Sequence, residues 1–252
     1  MYHMILLVLD NIEHVPDVLD AWEAAGASGI TILESTEKFL VDVRNGHKTG
    51  FYLDQSQNRR LIYDLLSEDF KGSCRFLNVF SYTGGFAIFA LGAGGVQAIN
   101  VDSSREHLEL AEQNIILNNY HTGDHGTSYE LIQADAFVYL RDAAVSGEQF
   151  DIVVLDPPKF AHTKQQATRA SRGYKDLNLN AFRVIKPGGY LMTFSCSGAI
   201  SPDLFQKIVF GALVDAGRQA QIIKYLGPGP DHPVALTFPE GAYLKGLLLR
   251  VY

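Results

Sequence analysis

The sequence predicts an α/β protein with a doubly wound, mainly parallel seven-stranded sheet, a C-terminal antiparallel hairpin and a small N-terminal α+β piece. Three observations carry this. Between residues 75 and 216, short apolar runs alternate with segments of helical period, as in a parallel sheet covered on both faces. The last two strand-like runs, 221–225 and 243–251, have no helix between them and so form an antiparallel edge. The chain has 252 residues, 47% hydrophobic and 19% charged, which is enough for one large core.

The elements follow in order. Residues 1–43 read as a fragment: 4–9 are rich in β-formers, 15–25 carry a helical period, and 29–33 and 38–43 look like two short strands. A chain that opens in mid-strand without a cap or turn suggests that an upstream part is missing. Residues 46–52 form a loop, after which Asp54 is expected to cap a helix running to about residue 70. Strands are then expected at 75–80, 97–101, 129–133, 150–155 and 190–195. The helices between and after them are expected at 84–91, 103–118, 136–141, 174–184 and 203–216, with Leu108, Ala111 and Ile115 giving the second its apolar face.

Composition narrows the function. Two cysteines, Cys74 and Cys196, cannot build a disulfide framework or a four-cysteine zinc site, so no metal is expected and a reducing, cytoplasmic setting is the default. No apolar run approaches the roughly 18 residues of a membrane span, and 4–9 lacks the basic flank of a signal peptide. The net charge of −7 argues against indiscriminate nucleic-acid binding. Its distribution is uneven, however. The windows 44–60 and 156–176 hold nine Lys/Arg against three acids and sum to +6, leaving −13 for the rest. Chance unevenness of solvated faces also gives such numbers; a polyanion-facing surface requires other features in the same windows.

In doubly wound sheets ligands bind beyond the carboxyl ends of the strands, where the winding reverses. After the first strand comes Asn78-Val79-Phe80-Ser81-Tyr82-Thr83-Gly84-Gly85-Phe86, whose glycines let backbone approach a ligand closely. It is not the G-x-G-x-x-G of dinucleotide sites, which disfavours a pyrophosphate ligand and a nicotinamide oxidoreductase. Asp102, followed by Ser103, ends the second strand and is placed to accept from ribose hydroxyls. Asp135-Ala136-Phe137 ends the third, with a carboxylate for an exocyclic amine and a ring to stack on adenine. Either acid alone reads equally well as a helix cap. Acids after strands two, three and four, together with the glycine loop, fit an adenosine without phosphates and a sulfonium tail: S-adenosylmethionine (SAM).

The fourth strand ends in Asp156-Pro157-Pro158-Lys159-Phe160, where two prolines fix the backbone and leave carbonyls free to face a ligand. Such a shape suits methyl delivery to a planar nitrogen or a base; a Pro-terminated strand is the plain alternative. The fifth ends in Ser195-Cys196-Ser197. A thiol there can attack C6 of a pyrimidine and make C5 nucleophilic, chemistry that needs a covalent catalyst, and basic neighbours such as Lys159 would favour the thiolate. Cys74 is expected to pack as a small hydrophobe. The loop holding His232 and 238–241 is either structural or overhangs the site.

These segments, with Gly46-His47-Lys48-Thr49-Gly50-Phe51-Tyr52-Leu53-Asp54-Gln55, Arg172-Gly173-Tyr174-Lys175-Asp176, Phe194 to Gly198, Pro239-Glu240-Gly241 and Tyr243-Leu244-Lys245-Gly246, closely resemble the RlmI/YccW-type large-subunit ribosomal RNA cytosine-5 methyltransferases. The resemblance covers 31–252. It implies a class I SAM-dependent methyltransferase domain at 54–252, with 1–53 a remnant of the family's central α+β domain and the N-terminal RNA-binding PUA domain absent. It implies Cys196 as nucleophile, Asp156 holding the cytosine ring, and Gln55 and Arg59 joining the SAM pocket. Lys159, Arg172, Tyr174 and Lys175 are the expected substrate contacts. Ribosomal RNA or a pre-ribosomal particle is the expected partner, and a homodimer a further expectation. Two alternatives stand beside this one: SAM-dependent methylation of a base nitrogen with Cys196 incidental, and a non-catalytic SAM-binding partner protein.

Overall fold

The computed structural model describes residues 30–34, 37–42, 46, 50–70, 73–123, 126–161, 163–230 and 232–252. The expected strand at 4–9, the expected helix at 15–25, and the basic residues Arg44 and Lys48 lie outside them. Strands β1 (Ile30–Glu34) and β2 (Glu37–Val41) form an antiparallel hairpin. Helix α1 (Ser56–Asp69) follows, then the alternating run β3 (Cys74–Val79), α2 (Gly85–Gly92), β4 (Val96–Asp102), α3 (Arg105–Leu117), β5 (Ser128–Gln133) and α4 (Ala136–Ser146). The second half is β6 (Phe150–Leu155), α5 (Ala167–Val184), β7 (Ile185–Ser195), α6 (Pro202–Asp215), β8 (Ala220–Leu226) and β9 (Lys245–Val251).

Seven strands form one sheet in the order β5-β4-β3-β6-β7-β9-β8. The first five are parallel, while β9 runs antiparallel between β7 and β8. The chain winds outward from β3 to β5, then restarts on the other side of β3 with β6. That reversal opens a crevice at the carboxyl ends of β3 and β6. The central strands are mostly apolar because both faces are covered, with the buried Asn78 and Asn100 paired to each other. On one side Leu77, Val153 and Leu155 meet Leu140, Tyr174, Phe182 and Phe205 from α4, α5 and α6. On the other, Phe76, Ile152 and Met192 meet Ile62 and Leu66 of α1, Phe89 of α2, and Phe39 of the hairpin.

The hairpin is tied to α3 by two asparagines one turn apart. Asn114 accepts from Leu40 N (2.6 Å), and Asn118 exchanges bonds with Lys38 N (2.8 Å) and Lys38 O (2.7 Å). The two amides thus satisfy backbone that would otherwise be a bare strand edge.

Three local expectations are corrected. Asp54 does not cap α1: a 3-10 turn, Leu53–Gln55, comes first, the cap position is Gln55, and the Asp54 carboxylate accepts from Tyr243 Oη at 2.6 Å. Helix α5 starts at Ala167 rather than 174, because Ala167 and Ala170 dock on the core while Thr168 and Arg169 between them face water. Strand β7 starts at Ile185, five residues before 190, crossing an irregularity in its pairing with β6 at Gly188 (φ +84°).

Candidate active site

A cavity of about 970 Å³ lies at the carboxyl edge of the sheet. Phe80, Ser81, Tyr82, Thr83 and Gly85 line it from the loop after β3, and Asp102, Ser103 and His107 from the end of β4 and the start of α3. Gln55 enters from the 3-10 turn before α1, Arg59 from α1 itself, and Asp156, Pro157, Pro158 and Lys159 from the end of β6. Cys196 and Gly198 enter from the end of β7, and His232, Glu240 and Tyr243 from the loop before β9.

The loop after β3 is held in unusual backbone. Phe80 (φ +61°) and Tyr82 (φ +48°) are both left-handed, a conformation that costs a non-glycine residue of the order of 1–3 kcal/mol and tends to mark functional loops. Gly84 (φ +82°) occupies the cap position of α2, where a Cβ would come within 3.1 Å of Ala111. It shapes the loop without lining the cavity. Gly85 gives room to Arg59, whose Cδ a Cβ there would approach to 3.1 Å. Arg59 is itself buried, with its guanidinium over the Phe51 ring at 4.5 Å and Nη1 donating to Tyr52 O at 2.9 Å. At the end of β4, Asp102 accepts from Tyr82 N and Ser104 N, both at 2.9 Å, and its carboxylate stays partly open to the cavity.

The other end is assembled from distant segments. Cys196 is half-buried, with its Sγ 3.8 Å from Pro157 O in the Asp-Pro-Pro loop. Next to it, Ser197 is buried; its hydroxyl accepts from Ala161 N (3.2 Å) and shares a hydrogen bond with Tyr174 Oη (3.0 Å). Lys245 Nζ donates to the carbonyls of Ser197 and Ile200, both at 2.7 Å. Burial lowers the Lys245 pKa to about 8, and a charged Cys196 would draw it back up. Burial also pushes Tyr52 up, with the neighbouring Tyr82, Asp156 and Cys196 adding to it. Tyr243 is raised by burial and by its hydrogen bond to Asp54. Both phenols therefore serve this cavity as neutral hydrogen-bonding groups.

Several candidates stand apart from the cavity. Asn78 is buried in the sheet, donating to Asn100 Oδ1 at 3.0 Å. Asp135 caps α4 by accepting from Phe137 N (2.9 Å) and Val138 N (3.0 Å); Ala136 is buried, and the Phe137 ring packs near Phe160, 6.0 Å between centroids. Tyr174, expected at the substrate, is a core residue with no exposed surface. Lys175 pairs with Asp215 of α6 at 2.7 Å, and Arg172 is exposed but does not line the cavity. Cys74 is fully buried. Conversely, Tyr52, His107, Tyr243 and Lys245 were given no site role from sequence, although three of them fall inside the quoted motifs. The signal was there, but nothing local said which way they face.

The residues present suit SAM. Ser81 Oγ, buried at the cavity wall, has no hydrogen-bond partner among the described residues, and Arg59, Asp102 and a strained backbone loop converge beside it. A cavity at the switch point of this sheet, with an acid at the tip of β4 and a loop free of a pyrophosphate fingerprint, defines a class I methyltransferase site. A model of the S-adenosylmethionine-dependent methyltransferase family matches residues 6–250. The chain belongs to that family. Among curated relatives, the ribosomal RNA large subunit methyltransferase I of Aeromonas salmonicida (strain A449) is 49% identical over 221 residues, 88% of this chain and 54% of that protein. The enzyme of the same name from Klebsiella pneumoniae (strain 342) is 47% identical over 222 residues, 88% of this chain and 53% of that protein. The chain therefore spans about half the length of these relatives. Among solved structures, the methyltransferase SMU.776 complexed with SAH superposes with TM-score 0.74 at 22% identity, covering 88% of this chain and 56% of that one. A SAM-dependent methyltransferase from Agrobacterium tumefaciens gives 0.63 at 16% identity, covering 89% and 69%. Both likenesses concern the fold. Among the described residues no helix is long and apolar enough to cross a membrane.

Proposed function

We propose that this chain methylates carbon 5 of a cytosine in large-subunit ribosomal RNA, free or within a pre-ribosomal particle, through a covalent bond between Cys196 and the base. The observation that carries this reading is the meeting of the Cys196 thiol and the Asp156 carboxyl in one cavity with the SAM-fitting loop. The names of the curated relatives supply the substrate class.

Arg59, Ser81 and Asp102 hold SAM, which supplies an electrophilic methyl on a sulfonium. Cytosine C5 is too weakly nucleophilic to take it unaided. The Cys196 thiolate forms a bond to C6, and the displaced electron pair moves through the ring toward N3, where Asp156 supplies a proton. C5 is then an enamine carbon and can be alkylated. Removal of the C5 proton by a base returns the electron pair, breaks the C6–S bond and restores the aromatic ring, with N3 giving its proton back to Asp156. The prolines after Asp156 keep its carboxyl at the strand tip throughout. Lys159 lines the cavity and faces the RNA backbone, and the exposed Arg169 and Arg172 of α5 extend that basic surface.

The test is Cys196→Ala, assayed on large-subunit RNA from cells lacking the gene, with nucleoside mass spectrometry as readout. Formation of 5-methylcytosine should fall by at least about 10³-fold, as for removal of a nucleophile elsewhere, while SAM affinity holds. Full methylation by the variant would exclude the covalent route and favour a nitrogen acceptor. SAM binding by the unaltered chain without any transfer would favour a non-catalytic role.

A further inference from the structure

Lys245 opens β9 and is only 7% exposed, and it stands directly across the antiparallel ladder from Ser195, the residue before Cys196. Its chain neighbours Leu244, Gly246 and Leu247 are buried as well. A cation in such surroundings carries a heavy desolvation cost unless it is well bonded, and an apolar side chain would pack there without that cost. Two of its three N–H groups reach the carbonyls of Ser197 and Ile200, clamping the turn that follows Cys196. The same turn is closed by Ile200 N on Ser197 O at 3.0 Å.

We infer that Lys245 is a positioning residue for Cys196: its buried ammonium fixes the 197–200 turn and holds the neighbouring sulfur as a thiolate. The inference rests on the reading of Cys196 as nucleophile. Coupling between the two groups runs both ways: a negative Cys196 raises the Lys245 pKa, so a positive Lys245 lowers that of the thiol. Among the described residues, Tyr174 from α5, Tyr52 before α1 and Tyr243 before β9 also lie near the sulfur, and Asp156 and Lys159 from the β6 loop line the same cavity. The three phenols are all raised and stay neutral, Asp156 opposes a thiolate when ionised, and Lys159 supports it. Burial brings Lys245 down to about 8, so its charge is lost as pH rises through that value. A neutral amine still donates to both carbonyls; the turn survives that loss, but the support for the thiolate does not.

The test reads thiol chemistry rather than methyl transfer. Alkylation of Cys196 by iodoacetamide is followed against pH in the intact chain, with peptide mass spectrometry separating it from the fully buried Cys74. In Lys245→Met the midpoint should rise by about one unit, making alkylation about tenfold slower near pH 7, with the high-pH plateau kept. Lys245→Arg, which keeps the charge, should hold the unaltered midpoint. Superimposable profiles, or a lowered plateau at an unmoved midpoint, would overturn the inference in favour of a purely structural lysine. Should the Met variant fail to fold, lysine ε-carbon NMR of the unaltered chain and of Cys196→Ser gives the reciprocal reading. The Lys245 midpoint should fall in the Ser variant, and an unchanged one would overturn the inference. Methylation surviving in Cys196→Ala would instead sink the nucleophile reading and leave this coupling standing.

Discussion

At the β4 end of the cavity, Asp102 accepts from the amide two residues further on and from that of Tyr82 in the loop it faces, and beyond it Asp135 caps its own helix. At the β7 end, by contrast, Ser197 is held by Ala161, Tyr174 and Lys245, which come from the β6 loop, from α5 and from the last strand of the chain. The first arrangement exists as soon as neighbouring strands and their helices form. The second exists only when β9 has been laid between β7 and β8, so the surroundings of Cys196 depend on the whole sheet. The β4 end of the cavity is thus locally determined, and the β7 end is set by long-range packing.

This contrast can be broken by experiment. Asp156→Asn, at the far end, should lower kcat by about 10²–10⁴-fold, the usual contribution of a positioned acid–base group, while leaving the Kd for SAM nearly unchanged. A parallel loss of SAM affinity, measured by calorimetry, would mean that the two ends are one unit. Asp102→Ala, at the near end, should do the opposite. Tyr82 N and Ser104 N lose their acceptor and the carboxylate offered to the ligand disappears, so Kd for SAM should rise about tenfold, about 1.4 kcal/mol. The rate of Cys196 alkylation should not change. A slower thiol in Asp102→Ala would show coupling across the cavity.

The same division explains how much could be read from the sequence. The apolar strands β3, β4, β6 and β7, the glycine loop and the acids that follow the strands are local patterns, and the sheet follows from them. Asp54 looked like a helix cap because an acid before a polar-apolar period normally is one. A 3-10 turn displaces the helix start, and Tyr243, 189 positions away, takes the carboxylate. The first two turns of α5 were unreadable because only two alanines mark their buried side. Tyr174 sits in a basic stretch and so read as a substrate contact. It is instead the largest fully buried side chain of its helix, packed between Phe160 (4.8 Å between centroids) and Phe205 (5.7 Å). Lys245 was visible inside a motif, but its role depends on the β7–β9 register, which no local pattern encodes.

Tyr174→Phe gives the smallest expected effect and the sharpest view of that long-range end. Phenylalanine keeps the ring contacts and removes only the hydroxyl that meets Ser197 Oγ at 3.0 Å. Ser197 still accepts from Ala161 N and its carbonyl still accepts from Lys245, so one buried hydrogen bond is lost from a turn with several. The expected cost is about 1 kcal/mol, a fall in Tm of about 2–4 °C, with SAM affinity unchanged and kcat reduced only a few-fold. A residue that touched substrate would behave differently: KM for RNA would rise while Tm held. The pairing of a lowered Tm with an unmoved KM is therefore what assigns this tyrosine to the scaffold beneath Cys196, and the reverse pairing would return it to the RNA surface.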